Sequence, residues 1–308
     1  MSTKGIACGI AIPQSFAATP IDVDLIRRFL PRAEMLGYES LWVQEQIVSD
    51  TAILEPVTLL TYAAALTSKP RLGSSVLLTV IRNPVQLAKS LASLDQLSRG
   101  RLTLGVGIGG AHVPERVFGV PSERRARRFV EGLRVMKALW TEQRAAFSGE
   151  FWQFEGVAME PKPLQRPYPP LWFGARDEIG LLRAVRHGDG WMGAGSSSSS
   201  DFVRQYEILR RSLDKAGRDP SGFAVSKRVY IAVDNNRERA EGRLREWFGA
   251  RYKNAEMAPR VSVWGSRDEC LERLGELVRA GARHLLLNPV FDEMEHLELL
   301  AEQVLNRL

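Results

Sequence analysis

Several short groups of residues in this sequence have types and spacing that could do chemistry. Gly105-Val-Gly-Ile-Gly-Gly110 follows an apolar run, but no helical pattern opens directly after it. A dinucleotide-binding fingerprint needs that helix, so this reading is rejected. Glycines at Gly107 and Gly109, around Ile108, either let a flat ring approach the backbone or simply form a tight turn. Gly174-Ala175-Arg176 and Gly195-Ser196 each stand just before a helical stretch. Two neighbouring helix N-termini bearing glycine and hydroxyl residues suit a phosphate, and Arg176 would add a charge-assisted contact. Ordinary helix capping by Ser196 to Ser200 is the alternative. His112 is the histidine beside the glycine run, whereas His187, His284 and His296 lie elsewhere. The four show neither HxH nor HExxH spacing, so no metal site is expected. A nucleophile elbow of the form GxSxG is also missing.

The elements that must position these residues are read from alternating patterns. Short apolar runs predict strands at Gly5 to Ile12, Ser40 to Val43, Leu72 to Leu78, Leu102 to Val106, Leu171 to Phe173, Gly190 to Met192, Phe223 to Val233 and His284 to Leu287. Helical patterns lie between them. Asp22 caps a helix to about Leu36 that Pro31 should kink or divide, and Pro56 to Leu66 and Pro84 to Leu97 begin with proline in the first turn. Further helices are expected over Ser122 to Trp140, Asp177 to His187, Asp201 to Ala216, Asn235 to Tyr252, Asp268 to Ala280 and Met294 to Leu305. Phe147 to Phe154 reads as a small hairpin insertion. Pro161 to Pro170, with five prolines, reads as an extended connector, and Lys253 to Gly265 as an irregular, variable segment before the last strand.

Eight strand–helix units in 308 residues favour an α/β fold, a (β/α)8 TIM barrel forming a single domain over residues 1–308. In such a barrel the chemistry sits where strands end and loops begin. That rule selects Ile12-Pro13-Gln14 after the first strand, Gln44-Glu45-Gln46 after the second, Leu77-Leu78-Thr79 after the third, and the glycine groups after the fourth, fifth and sixth.

Composition bounds the partners. Hydrophobic residues make up 44% and charged residues 25%, ordinary for a globular protein. No apolar run approaches the ~20 residues of a membrane helix. Met1-Ser2-Thr3-Lys4 runs straight into a strand-like stretch, so no signal peptide is expected. Two widely separated cysteines, Cys8 and Cys270, suggest a reduced, cytoplasmic protein. The net charge is +6, with a cluster at Arg124, Arg125, Arg127 and Arg128 that forms either a solvated helix face or an anion contact. No aromatic–basic or finger motif supports nucleic-acid binding.

The stretch Leu87-Ala-Lys-Ser-Leu-Ala-Ser-Leu-Asp-Gln-Leu-Ser-Arg-Gly-Arg-Leu-Thr-Leu-Gly-Val-Gly107 resembles the signature of the luciferase-like monooxygenase superfamily. Gly37-Tyr-Glu-Ser-Leu-Trp-Val43, Pro161-Lys-Pro163 with Pro170-Leu-Trp-Phe-Gly174, and Gly188-Asp-Gly-Trp191 are similar to the same family. The resemblance runs from the first strand to the last helix. It implies a barrel that binds FMN or the 8-hydroxy-5-deazaflavin coenzyme F420, with an overall pattern closer to the deazaflavin-dependent branch. In that branch a non-prolyl cis peptide on the third strand backs the ring, and the matching bond here is Ser75–Val76, followed by Leu77. Expected cofactor contacts are Ile12, Ser75, Val76, Leu77, Gly107, Ile108, Gly109, Gly174, Ala175, Arg176, Gly195 and Ser196.

A deazaflavin carries carbon in place of the reactive flavin nitrogen and transfers hydride. The resemblance therefore implies an oxidoreductase acting on a small or lipid-like carbonyl, alcohol or activated alkene. The arginine excess suits the polyglutamate tail of F420. An FMN-dependent two-component monooxygenase and a non-catalytic flavin-binding protein are the alternatives. Many relatives end the second strand with an acidic residue and histidine; here Glu45 and Gln46 stand there, and glutamine cannot exchange a proton near neutral pH. Glu45, Gln46 and His112 are the catalytic candidates, with Glu45 equally suited to pairing with an arginine. Gly110 occupies the place of the glutamate found in the sugar-phosphate dehydrogenase branch, which argues against glucose-6-phosphate. The helices starting at Pro56 and Pro84 are the expected homodimer faces.

Overall fold

A computed structural model describes residues 6–17, 19–110 and 115–308. The fold is a (β/α)8 barrel, as the alternation predicts. Its strands are β1 (Ala7–Ala11), β2 (Ser40–Val43), β3 (Arg71–Ser74, resuming at Leu77–Leu78), β4 (Leu102–Gly107), β5 (Leu171–Gly174), β6 (Gly190–Gly193), β7 (Ala224–Val233) and β8 (His284–Asn288). The helices are α1 (Val23–Met35), α2 (Pro56–Leu66), α3 (Pro84–Leu97), α4 (Arg125–Thr141), α5 (Glu178–His187), α6 (Ser199–Lys215), α7 (Arg237–Tyr252), α8 (Met257–Val261), α9 (Arg267–Arg279) and α10 (Glu293–Gln303). The described residues group into two compact units, one drawn from 1–13, 22–42 and 174–308, the other from 14–21 and 43–173.

In the first unit β8 pairs in parallel with both β1 and β7, Leu285 standing opposite Cys8 and Lys227. β1 pairs with β2 and β6 with β7. Ile10, Leu41, Leu285 and Leu287 are completely buried there, each contributing about 1.5–3 kcal/mol through removal of apolar surface from water. A polar relay crosses this core. His284 Nε2 lies 2.9 Å from Ser40 Oγ and Nδ1 lies 2.7 Å from Ser226 Oγ, while Trp42 Nε1 donates to Ser40 Oγ. Burial pushes the imidazole down to about 3, so it is neutral at physiological pH.

Two expectations need correction in this unit. α1 runs through Pro31 without a boundary; Asp22 accepts from Leu25 N–H, and Gly37 takes φ +85° beyond the last turn. The segment Lys253 to Gly265, expected to be irregular, contains α8 and a strand, Ser262–Gly265, that pairs in parallel with the far half of β7. Its apolar residues are too few for a visible period. They are recruited instead by a cluster in which Ala258, Val261 and Trp264 pack with Tyr230, Leu244 and Phe248.

In the second unit β4 pairs with β3 on one side and β5 on the other. α3 packs against both α2 and α4. Trp140 is fully buried and donates its indole N–H to Ala88 O. Arg101 binds Thr67 O, Pro70 O and Ala64 O, tying the end of α2 to the start of β4. The expected hairpin forms from Ala145–Ser148 and Gln153–Val157, its turn held by Glu131, which accepts from Glu150, Phe151 and Trp152 N–H. α4 starts at Arg125 rather than Ser122, because Arg124 is left-handed at φ 58°.

Candidate functional site

In the second unit the third strand breaks where chemistry was expected. Leu72 and Gly73 pair with β4, the ladder stops, and Leu77 and Leu78 resume it opposite Val106 and Gly107. The Ser75–Val76 peptide bond between these stretches is cis, as the resemblance implies. Two grips hold the break. Ser75 N–H donates to Val43 O at 2.7 Å, and Leu78 N–H donates to Glu45 Oε2. Ser75 and Val76 are half-buried, whereas Ser74 and Leu77 on either side are fully buried. The result is a small, uncharged ledge beside the end of β4.

Glu45 is held rather than free. Its side chain is fully buried, its Oε1 receives Arg82 Nε at 2.7 Å, and Arg82 also reaches Glu55 Oε1 at 2.7 Å. Glu55 in turn accepts from Thr58 N–H and caps α2. Burial pushes the Glu45 carboxyl above its ordinary value, against the opposing pull of Arg82 and the Leu78 N–H. For Arg82 the balance is reversed: burial works against its charge, but Glu45 and Glu55 outweigh it and hold the guanidinium ionised. Glu45 thus positions the ledge, and its oxygens are already committed. The Gln46 side chain, half-buried, makes no hydrogen bond to a described residue. His112 lies outside the described residues.

Within the glycine run after β4, Gly109 is exposed at φ +82°, a conformation that favours glycine. Arg125 donates to Ile108 O at 3.0 Å, so the first helical turn of α4 supports this loop. The rest of the arginine cluster serves the hairpin. Arg124 and Arg127 pair with Glu150, and Arg128 sits 4.6 Å from the ring centroid of Trp152. Among the described residues, the Thr79 hydroxyl oxygen is buried without a hydrogen-bond partner.

In the first unit the loops after β5 and β6 come together as the sequence suggested. Arg176 Nη1 lies 3.4 Å from Ser196 Oγ, Gln205 Nε2 donates to Arg176 O at 3.0 Å and Trp191 Nε1 donates to Ala175 O. Gly174 and Ala175 are half-buried and Gly195 is buried. Ile12 is 4% exposed, and its N–H donates to Trp42 O at 2.9 Å. The helix ends themselves are already occupied by acids. Asp177 caps α5, and Ser198 forms a reciprocal capping box with Asp201 at α6, which starts two residues before the expected Asp201. A carboxylate at each N-terminus competes with any anion there. The positive character of these loops therefore rests on Arg176 and on a residue that sequence reasoning passed over.

That residue is Lys227, 2% exposed on β7. Its ammonium donates to Ala194 O at 2.5 Å and Ser197 O at 2.8 Å, holding the loop after β6 from behind. Burial pulls its pKa down to about 7, with Asp201 acting against that shift and Arg228 adding to it. The available signal was the pair Lys227-Arg228 inside a ten-residue strand that is otherwise uncharged. Two adjacent charges on opposite faces of a buried strand require partners on both sides.

Taken separately, the ledge in the second unit is an uncharged surface suited to a flat ring, and the loops after β5 and β6 in the first unit present the Arg176 guanidinium and the Ser196 hydroxyl, groups that suit a flavin or deazaflavin phosphate. The sequence profile of luciferase-like monooxygenases matches residues 5–284. An uncharacterized protein of Mycobacterium tuberculosis (strain H37Rv) is 39% identical over 167 residues, 54% of this chain and 58% of that protein. The chain therefore matches less than two thirds of that relative's length. The FMNH2-dependent dimethylsulfone monooxygenase of Pseudomonas putida is 26% identical over 267 residues, 81% of this chain and 72% of that one. Among solved structures, an F420-dependent secondary alcohol dehydrogenase bound to an F420–acetone adduct aligns with a TM-score of 0.84 at 20% identity, covering 97% of this chain and 98% of that chain. This last likeness is one of fold. No helix among the described residues is long and apolar enough to cross a membrane.

Proposed function

The chain belongs to the luciferase-like monooxygenase family, whose members are F420- or FMN-dependent oxidoreductases, and on that premise we propose that it is a coenzyme F420-dependent oxidoreductase. Its substrate in this reading is a small or lipid-like carbonyl, alcohol or activated alkene. The observation that carries the proposal is the uncharged, half-buried ledge at Ser75 and Val76, held by Val43 and Glu45 beside the glycine loop after β4. Such a ledge offers a flat ring an apolar backing with no competing charge.

When bound, the deazaflavin would supply or accept the hydride. The chain's own residues bind and orient. Ser75, Val76 and Leu77, with Ile12, Gly107, Ile108 and Gly109, are assigned to the ring. Gly174, Ala175, Arg176, Gly195 and Ser196 are assigned to the phosphate, with Lys227 supplying charge behind the loop. Gln46 is assigned a hydrogen bond to ring or substrate. Glu45 is reassigned from proton donor to positioning residue, since both of its oxygens are engaged. His112 stays as the candidate for proton transfer.

The test is a comparison of reduced F420 with reduced FMN. Tighter binding of F420 and oxidation of its reduced form by a panel of ketones and enones, in step with formation of the alcohol or the saturated ketone, is the expected result. Preferential FMN binding with oxygen consumption would instead establish a two-component monooxygenase, the reading favoured by the similarity to dimethylsulfone monooxygenase. Stoichiometric binding without turnover would mark a flavin-binding protein.

Two further parts of the reading concern the setting. Leu97 on α3 is 64% exposed and Val85 is 37% exposed, and a groove of about 910 Å³ runs between the outer faces of α2 and α3. We assign this face to a homodimer; a monomer mass by light scattering would exclude it. Buried free thiols at Cys8 and Cys270 suit a reducing, cytoplasmic setting.

A further inference from the structure

We propose that Tyr252 is a specificity-determining residue whose exposed ring receives an alkyl or aryl group of the substrate. The proposal rests on the reading of the substrate as a small or lipid-like carbonyl, alcohol or alkene, and narrows it to compounds that carry such an apolar group.

The place of Tyr252 follows from the strand that it touches. Ser226, Arg228 and Tyr230 are alternate residues of β7 and share one face. On that face Ser226 Oγ lies 2.7 Å from His284 Nδ1, and His284 Nε2 lies 2.9 Å from Ser40 Oγ. His284 and Ser40 stand on β8 and β2 with β1 between them, and a Cβ at Gly9 of β1 would lie 2.4 Å from Ser40 Oγ. Side chains that meet over an intervening strand mark the inner face of a curved sheet, where they converge. Tyr230 is therefore on the inner face, near the carboxyl end of β7 and opposite Asn288, the last residue of β8. Beyond Val233 the chain forms α7 and α8, then returns as Ser262–Gly265 to pair with Tyr230–Val233. α7 and α8 are thus an excursion from the carboxyl end of β7, the end at which barrel chemistry gathers.

The excursion carries its apolar residues four apart. Ala240, Leu244 and Phe248 are buried in one cluster with Tyr230, and the next residue at that spacing is Tyr252, 40% exposed at the last position of α7. The apolar stripe outruns its cover. Tyr252 is nevertheless fixed. Its hydroxyl lies 2.6 Å from that of Tyr230, Phe248 stacks on its ring with centroids 5.4 Å apart, and the Trp247 ring stands 5.9 Å away. Lys253, left-handed at φ 56°, ends the helix directly after it. A ring held in place before binding loses little freedom when a ligand packs on it. Because its hydroxyl is engaged with Tyr230, Tyr252 offers mainly carbon surface. Met257 on α8, with Val290 and Phe291 after β8, packs half-buried against the same cluster, so an alkyl or aryl group laid on Tyr252 continues an apolar surface. The phosphate loop adjoins it, since a Cβ at Gly195 would lie 2.8 Å from Tyr230 Cε2. The charged end of a cofactor gains nothing from an apolar platform, so the group that packs there is assigned to the substrate.

The experiment titrates the full chain by calorimetry with methyl ketones from butanone to methyl octyl ketone. The chain is used alone and loaded with whichever of oxidised F420 and FMN it binds, so no turnover is needed. Affinity is expected to rise about fourfold per added methylene over the first members of the series, as burial of alkyl carbon requires. Tyr252→Ala should weaken methyl octyl ketone by about tenfold or more and butanone by less than about twofold. Tyr252→Phe, which keeps the ring, should stay near the parent, and cofactor affinity should be unchanged in both variants. Thermal melts check that the fold is retained. A parent that binds the long ketone no better than butanone overturns the proposal. So does a Tyr252→Ala variant that weakens both ketones alike or neither, or a Tyr252→Phe variant as damaging as Tyr252→Ala. This titration and the hydride-transfer assay fail separately. Turnover of ketones without dependence on chain length keeps the oxidoreductase and removes Tyr252 from its substrate site. A dependence that Tyr252→Ala abolishes, without oxidation of reduced F420, keeps the site and removes the hydride transfer.

Discussion

Glu45 accepts a hydrogen bond from the backbone N–H of Leu78, so the residue after the second strand holds the third strand just beyond its break. The same carboxylate pairs with Arg82, and Arg82 with the N-cap of α2, Glu55. The ledge at Ser75 and Val76 is thus tied, through charged side chains, to a helix at the surface.

Glu45→Ala removes the acceptor for the Leu78 N–H and one of the two carboxylates on Arg82. A buried N–H left unsatisfied costs about 1–3 kcal/mol, and that loss is expected in urea melts, accompanied by weaker cofactor binding. Glu45→Gln keeps a carbonyl acceptor and should lose less. Equal losses in the two variants would mean that charge, and not the backbone grip, is what Glu45 supplies.

Gly195→Ala places a methyl group 2.8 Å from Tyr230 Cε2, against a side chain packed on three sides by Trp247, Phe248 and Tyr252. Overpacking of this kind costs about 1–3 kcal/mol. The loop must shift, and the affinity for FMN and F420 should fall with the melting temperature. A variant as stable as the parent with full affinity would show that the loop has slack.

His284 gives the fold an acid sensitivity. Its folded value is about 3 against 6.5 when unfolded, so between these the unfolded chain binds a proton that the folded chain excludes. The contribution is complete above about 6.5 and is lost as pH falls toward about 3. His284→Asn should flatten this part of the stability–pH curve. An unaltered slope in denaturant melts from pH 4 to 7 would contradict the buried neutral imidazole.

Lys227 acts in the alkaline range. Its folded value of about 7 lies below the 10.5 of the free side chain, so the unfolded chain holds the extra proton between those limits. Stability therefore rises with pH from about 7 to about 10.5. Lys227→Met should remove that rise, while leaving the carbonyls of Ala194 and Ser197 without their donor. A persisting rise of the same size would place its origin elsewhere.

Much of the architecture is legible in the sequence. The strands at Ser40–Val43 and Leu171–Gly174 and the helices at Pro56–Leu66 and Pro84–Leu97 follow from short apolar runs, helical periods and proline at the first turn. The Arg176–Ser196 approach followed from knowing where barrel loops meet. The sequence alone leaves the role of Glu45 open between catalysis and pairing, because its partners Leu78 and Arg82 lie 33 and 37 residues away. The arginines of α4 posed the same problem: only the hairpin, folded back onto the helix, brings Glu150 and Trp152 to them.

By itself, then, the sequence determined the eight barrel strands, the helices between them and the family, since these depend on residues close along the chain. Tertiary structure alone decided that Glu45 is a clamp, that acids already cap α5 and α6, and that Lys227 and Arg228 share one strand with opposite duties. The physical reason is that a charge's effect depends on burial and on its partners. Both are set by packing between segments tens of residues apart, which no local pattern records.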